Sequence, residues 1–204
     1  MQFEQQQFGQ TAKSGMVSRF THGGHELLDS SEAIGTVMSC LEQFALYEQH
    51  TKDQELLSII QRQKAFLSQL YNTIIDSLQT GHDPKTPTQT YNIENMSDIT
   101  YGMQPSKPKS PVQTVGEITE ECISTYIMNN LKLIASSFTT TALETSNPVL
   151  RRIYADSLPN VIELAYEIFL YQNRKGYYQV ALLLEQEMQI IKNGYTPVQP
   201  NMSH

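Results

Sequence analysis

The sequence predicts an all-α protein: four long helices in two hairpins, with a short helix after the fourth. Three observations predict it. Apolar residues recur at spacings of three and four through four long stretches, the pattern of helices with one buried face. The composition breaks once, in residues 82–113, where Pro84, Pro87, Pro105, Pro108 and Pro111 forbid a continuous helix. The two halves also echo one another. "KDQELLSIIQRQKAFLSQL" and "SNPVLRRIYADSLPNVIEL" set Leu56 against Leu150, Ile59 against Ile153 and Leu70 against Leu164.

The first helix is expected from His25 or Ser30 to His50, with Leu27, Ile34, Val37, Met38, Leu41, Phe44 and Ala45 as its stripe. Before it, "THGGHELLD" reads as a glycine turn into a helix whose acids lie near the positive N-terminal end. In "TKDQ", Thr51 and Gln54 have the spacing of a capping box that opens the second helix, and Gly81 stops it. The prolines of 82–113 then mark a crossover. A helix of about 28 residues is about 42 Å long, and a segment of this length crosses that distance if the second and third helices run parallel.

Thr114 and Glu117 have capping-box spacing for the third helix, which is expected to run to about Glu144. Asn147 caps the fourth, Pro148 fits its first position, Pro159 predicts a kink, and Lys175-Gly176 ends it. A short amphipathic helix is expected over 181–192. The expected organisation is a glutamine-rich flexible arm at 1–20, a bundle at 21–195 and a loose tail at 196–204. Within the bundle, hairpin one spans 25–81, the crossover 82–113 and hairpin two 114–176. Two long hairpins with one long crossover make the ferritin-like arrangement of the four-helix bundle.

Composition limits function. The net charge of −7 over 204 residues argues against nucleic acid as a partner. No apolar run is long enough to span a bilayer, so membrane insertion is not expected. The start of the chain lacks the basic and apolar regions of a secretory signal. Cys40 and Cys122 lie among apolar helical residues and read as buried, reduced thiols. The late tyrosines, Tyr166, Tyr171, Tyr177 and Tyr178, read as core or interface residues.

Bundles of this kind often hold two metal ions, using inward carboxylates and a Glu-x-x-His on each of two helices. No histidine here stands three residues after a glutamate. After Glu163 that place is held by Tyr166, and Glu144, Glu163 and Glu167 remain as inward carboxylate candidates. His22, His25 and His50 are the candidate nitrogen ligands for a metal held in another way. The expectation is no cofactor, no metal and no catalytic residue.

Residues 142–180, "ALETSNPVLRRIYADSLPNVIELAYEIFLYQNRKGYYQV", resemble the spore coat protein F family of endospore-forming bacteria. The matching residues are Glu144, Asn147, Pro148, Arg151, Glu167, Phe169, Tyr171, Asn173, Gly176, Tyr177 and Tyr178. "THGGHELLD", "KDQELL" and "YGMQPSKPKSP" are similar to the longer, two-hairpin members. The resemblance implies a ferritin-like bundle and a structural role in the spore coat, among other coat proteins and with no catalytic residue to carry over. It also implies synthesis in the mother-cell cytoplasm without a signal peptide. Many members carry a histidine where Tyr166 stands. The alternatives are a metal-binding ferritin-like protein or enzyme, and a soluble partner-binding protein of sporulating or stressed cells. The apolar short helix suits either a flank of the bundle or a homodimer contact.

Overall fold

In the computed structural model, residues 22–198 are described. The expected arm at 1–20 lies outside them, as does most of the expected tail. Five α-helices follow in order: α1 Gly24–His50, α2 Gln54–Thr80, α3 Glu120–Glu144, α4 Pro148–Arg174 and α5 Glu185–Asn193. Among the described residues there is no strand, only an isolated parallel bridge between Tyr101 and Val180. None of these helices is long and apolar enough to cross a membrane.

The first four helices form an all-α bundle in which α1 packs on α2 and α3, and α4 packs on the same two. Side-chain pairs give the directions. Gln43 of α1 bonds Asn130 of α3, and Thr141 near the end of α3 reaches Asp29 near the start of α1, so these two run antiparallel. Arg62 and Asp53 meet Glu167 and Lys175, so α2 and α4 are antiparallel as well. It follows that α2 and α3 run the same way across the bundle, which is what a long crossover requires.

The core is a continuous apolar cluster. Phe44, Leu56, Ile60, Leu67, Ile127, Leu131, Phe138, Tyr154, Leu164 and Tyr171 are fully buried in it. Phe138 and Tyr154 meet edge to face at 5.2 Å, tying α3 to α4.

Helix ends confirm some sequence expectations and correct others. Gly81 takes the left-handed conformation (φ 70°) and closes α2. Asn147 caps α4, its side chain accepting from the N–H groups of Val149 and Leu150 at 3.0 Å. Thr51, however, does not cap α2. Its hydroxyl donates back to the carbonyl of Tyr47 and finishes α1. Asp53 is the cap, accepting from the N–H groups of Glu55 and Leu56. With so short a turn between the helices, the buried threonine serves the end of the first, and the carboxylate is left to serve the start of the second.

Thr114 and Glu117 do meet, but they close a single 3-10 turn, Val115–Glu117. Gly116 and β-branched Val115 propagate a helix poorly. Thr119, followed by two acids, gives α3 a better start at its positive end. The crossover is therefore longer than expected. Helix α5 begins at Glu185, not at 181: residues 181–184 are not helical, and Leu184, extended, is the N-cap.

The buried stripe of α1 is also rotated from the expected one. It reads Glu26, Ser30, Ala33, Val37, Cys40, Phe44 and Tyr47, while Leu27 and Met38 are exposed. Helix α4 runs unbroken through Pro159, whose ring lies on the exposed side.

Candidate interaction surfaces and the buried carboxylates

Two glutamates are buried, and each holds distant segments together. Glu167 points from the middle of α4 toward α2 and the crossover and is 1% exposed. One carboxylate oxygen accepts from Arg62 at 2.7 Å. The other accepts from Gln63 at 3.1 Å and from the hydroxyl of Tyr91 at 2.5 Å. Arg62 reaches outward to the exposed carboxylate of Glu94 as well, 3.0 Å away. The buried negative charge is thus neutralised and both its oxygens are occupied by donors, the condition under which a buried carboxylate is tolerated. Burial, then the bond to Glu167, push the Tyr91 phenol well above its ordinary value, so it stays a donor.

Glu26 is the second. In "THGGHELLD" it stands beside His22 and His25, the candidate metal ligands, and reads as an acid near the positive end of the first helix. In the structure it crosses to α4, where one oxygen accepts from the backbone N–H groups of Ser146 (2.6 Å) and Asn147 (3.1 Å) and from the Ser146 hydroxyl. Its other oxygen bonds His22 at 2.7 Å. The carboxylate sits where the N–H groups and dipole of α4 favour negative charge. Burial works to raise its pKa. The bonds from the Ser146 side chain and backbone, from His22 and from Asn147 outweigh that and hold it below the ordinary 4.5. A signal was present in the sequence: Glu26 continues the row Ser30, Ala33, Val37 backward by one turn.

The crossover lies along α4 and is fastened at successive points. The N–H of Tyr91 donates to Asn160 at 2.8 Å, and the Tyr91 ring packs edge to face on Phe66. Asn173 then holds Thr100 twice, accepting from its N–H at 2.7 Å and donating to its carbonyl at 3.0 Å. The same amide donates to the Tyr178 carbonyl. Gly176 (φ 73°) turns the chain at the end of α4, and the N–H groups of Tyr177 and Tyr178 both return to the Gln172 carbonyl. The turn brings Val180 beside Tyr101, where the N–H of Gly102 donates to its carbonyl.

These contacts assign most of the motif residues. Asn147 and Pro148 start α4; Glu167, Asn173 and Gly176 fix the crossover and the turn. Tyr171 is buried, with Tyr177 packed on it and the Lys175 ammonium over its ring at 5.4 Å. Phe169 lies between Tyr166 and Tyr178. Arg151 is exposed, and nothing in the structure explains its place in the motif.

The metal candidates do not converge. Glu144 and Glu163 face solvent, so Glu167 stands inside the bundle without them. His22 and His25 lie at the start of α1, paired with Glu26 and Asp29, whereas His50 lies at its far end, about 40 Å away by helix length. Among the described residues no group of three or more His, Cys, Asp or Glu is placed to hold a metal ion. Cys40 is buried, which pushes its thiol up to about 12, while Cys122 is only half-buried; both are free.

Exposed apolar side chains such as Leu28, Met96 and Leu143 are scattered over the bundle and crossover, and one run of them is dense. Leu182, Leu183, Leu184, Ile190, Ile191 and Tyr195 are each more than half exposed. This arm leaves the bundle at Val180, and no residue of α5 is buried.

The model of the Coat F domain family matches residues 119–181, which span α3, α4 and the turn that follows. A protein of Bacillus subtilis (strain 168), described as spore coat protein F-like protein YhcQ, is 40% identical over 202 residues. The match covers 98% of this chain and 93% of that protein. No solved structure matches the chain.

Proposed function

The chain belongs to the Coat F family, and we propose on that footing that it is a structural protein of the spore coat, working by contact with other coat proteins and not by catalysis. The observation that carries this reading is the identity across both hairpins and the crossover, well beyond the matched domain. The geometry supports it. The buried carboxylates Glu26 and Glu167 and the Asn173 amide are engaged in holding helices and crossover together, and the groove where the crossover meets α2, about 400 Å³, is lined by Gln69, Asn72, Thr73, Asp76, Lys85 and Thr86, with no histidine or cysteine. In this reading the mother cell makes the protein in its cytoplasm and the coat receives it by surface contact.

A second reading, a metal-binding ferritin-like protein or enzyme, draws on one observation: Glu167 is a carboxylate inside a four-helix bundle. Elemental analysis of protein purified without a chelator or histidine tag separates the two. Near-stoichiometric iron, manganese or zinc would overturn the purely structural reading. Localisation tests the first reading against a soluble partner-binding protein. A fluorescent fusion in sporulating cells is expected to form a ring at the forespore surface. Diffuse mother-cell fluorescence that disappears on lysis would contradict it.

A further inference from the structure

The arm after Val180 carries an apolar row that its own bundle does not bury, with Met188 half-covered and Leu184, Ile191 and Tyr195 exposed. Leu184, Met188, Ile191 and Tyr195 fall at spacings of four, three and four, the seam of a two-helix coiled coil. Helix α5 carries the middle of this seam, Leu184 is its N-cap and Tyr195 follows its C-cap Gly194. Leu184 is 70% exposed and Tyr195 82%. An apolar row of this kind in water calls for a partner.

We infer that the partner is a second copy of this chain, with the two α5 helices packed antiparallel about a two-fold axis. The seam is self-complementary in that arrangement. Leu184 meets Tyr195 of the partner copy and Met188 meets Ile191, so every layer is filled twice. Charge agrees. Glu185 and Lys192 flank the same side of the seam, and antiparallel packing sets each Glu185 beside the partner copy's Lys192. Glu187 is engaged at home, its carboxylate accepting from the N–H of Leu184 at 3.0 Å.

Parallel packing would set Lys192 beside the partner copy's Glu187, whose carboxylate is already engaged by the N–H of Leu184. An anionic lipid surface fits poorly too, because the polar face of α5 carries Glu185 and Glu187 against Lys192 alone.

The inference does not depend on the coat assignment, since the purified chain reports it in isolation. Sedimentation equilibrium of the full chain is expected to show a dimer at micromolar concentration. Ile191→Asp is expected to weaken it by more than about a hundredfold, with an unchanged circular dichroism melt because α5 lies outside the core. Lys192→Glu is expected to weaken it about tenfold, and adding Glu185→Lys to restore it. A chain that stays monomeric at about 100 µM, or a dimer indifferent to Ile191→Asp, would overturn the inference. Restoration by Glu187→Lys in place of Glu185→Lys would overturn the antiparallel register.

Discussion

Two carboxylates decide the interior of this bundle, and both act as acceptors across long stretches of chain. Glu167 joins α4, α2 and the crossover through Arg62, Gln63 and Tyr91. Glu167→Gln leaves Arg62 without its buried counter-charge, and about 3 kcal/mol of stability should be lost. Tyr91→Phe removes one bond to a charged acceptor, worth about 2 kcal/mol. Urea melts of both single variants and the double variant check this. The two effects should fall short of adding, and strict additivity would show that the contact is not one unit.

Glu26 gives a pH signature. Its pKa is lowered on folding, so its contribution to stability is complete above the ordinary 4.5 and disappears as the pH falls through the depressed folded value. Comparing Glu26→Gln with the unaltered chain should give a stability difference of about 2 kcal/mol at neutral pH that shrinks on acidification below pH 4.5. A difference that keeps its full size in acid would refute the carboxylate's role. Neither partnership was legible in the sequence. Glu167 reads as one of three inward carboxylate candidates, and nothing in the local pattern names a tyrosine from a proline-rich crossover as its partner.

At the scale of elements, the periodic segments were legible because each helix must bury one face. The exceptions follow from contacts between segments distant in sequence. The stripe of α1 turned away from Leu27 because the start of α4 supplies donors for Glu26. Capping residues were misplaced at Thr51 and Thr114, where two hydroxyl or carboxylate candidates compete within a few residues and only the packed geometry chooses. Pro148 fixes the first position of α4 and so singles out Asn147 over Thr145 and Ser146, and Gly81 alone suits the left-handed turn that closes α2.

The crossover was recognised as a connection, but its order was not foreseen. Around Thr100 it is held by Asn173, whose side chain binds that residue through both its donor and its acceptor. Asn173→Ala should release residues 97–104 without unfolding the bundle. Hydrogen–deuterium exchange should then speed up there, as local opening requires, while the central turns of α1 to α3 keep their protection. Unchanged exchange around Thr100 would mean that the crossover is held elsewhere.

Over the whole molecule, chemistry retreats inward and contact surface faces out. The polar residues that might suggest a metal centre in sequence lie apart or are bound to other protein groups. Exposed apolar residues lie over the bundle and the crossover as well as on the arm after Val180, where they follow one another closely in sequence. That division suits a protein whose work is done by its surfaces, and it is why composition excluded functions more readily than it named one. The spore itself gives the most direct test. Purified spores of the producing bacterium, stripped of their coat by alkali and detergent, should release the protein into the coat extract in place of the core fraction. Protein confined to the mother-cell lysate, with none in the coat extract, would contradict the central claim.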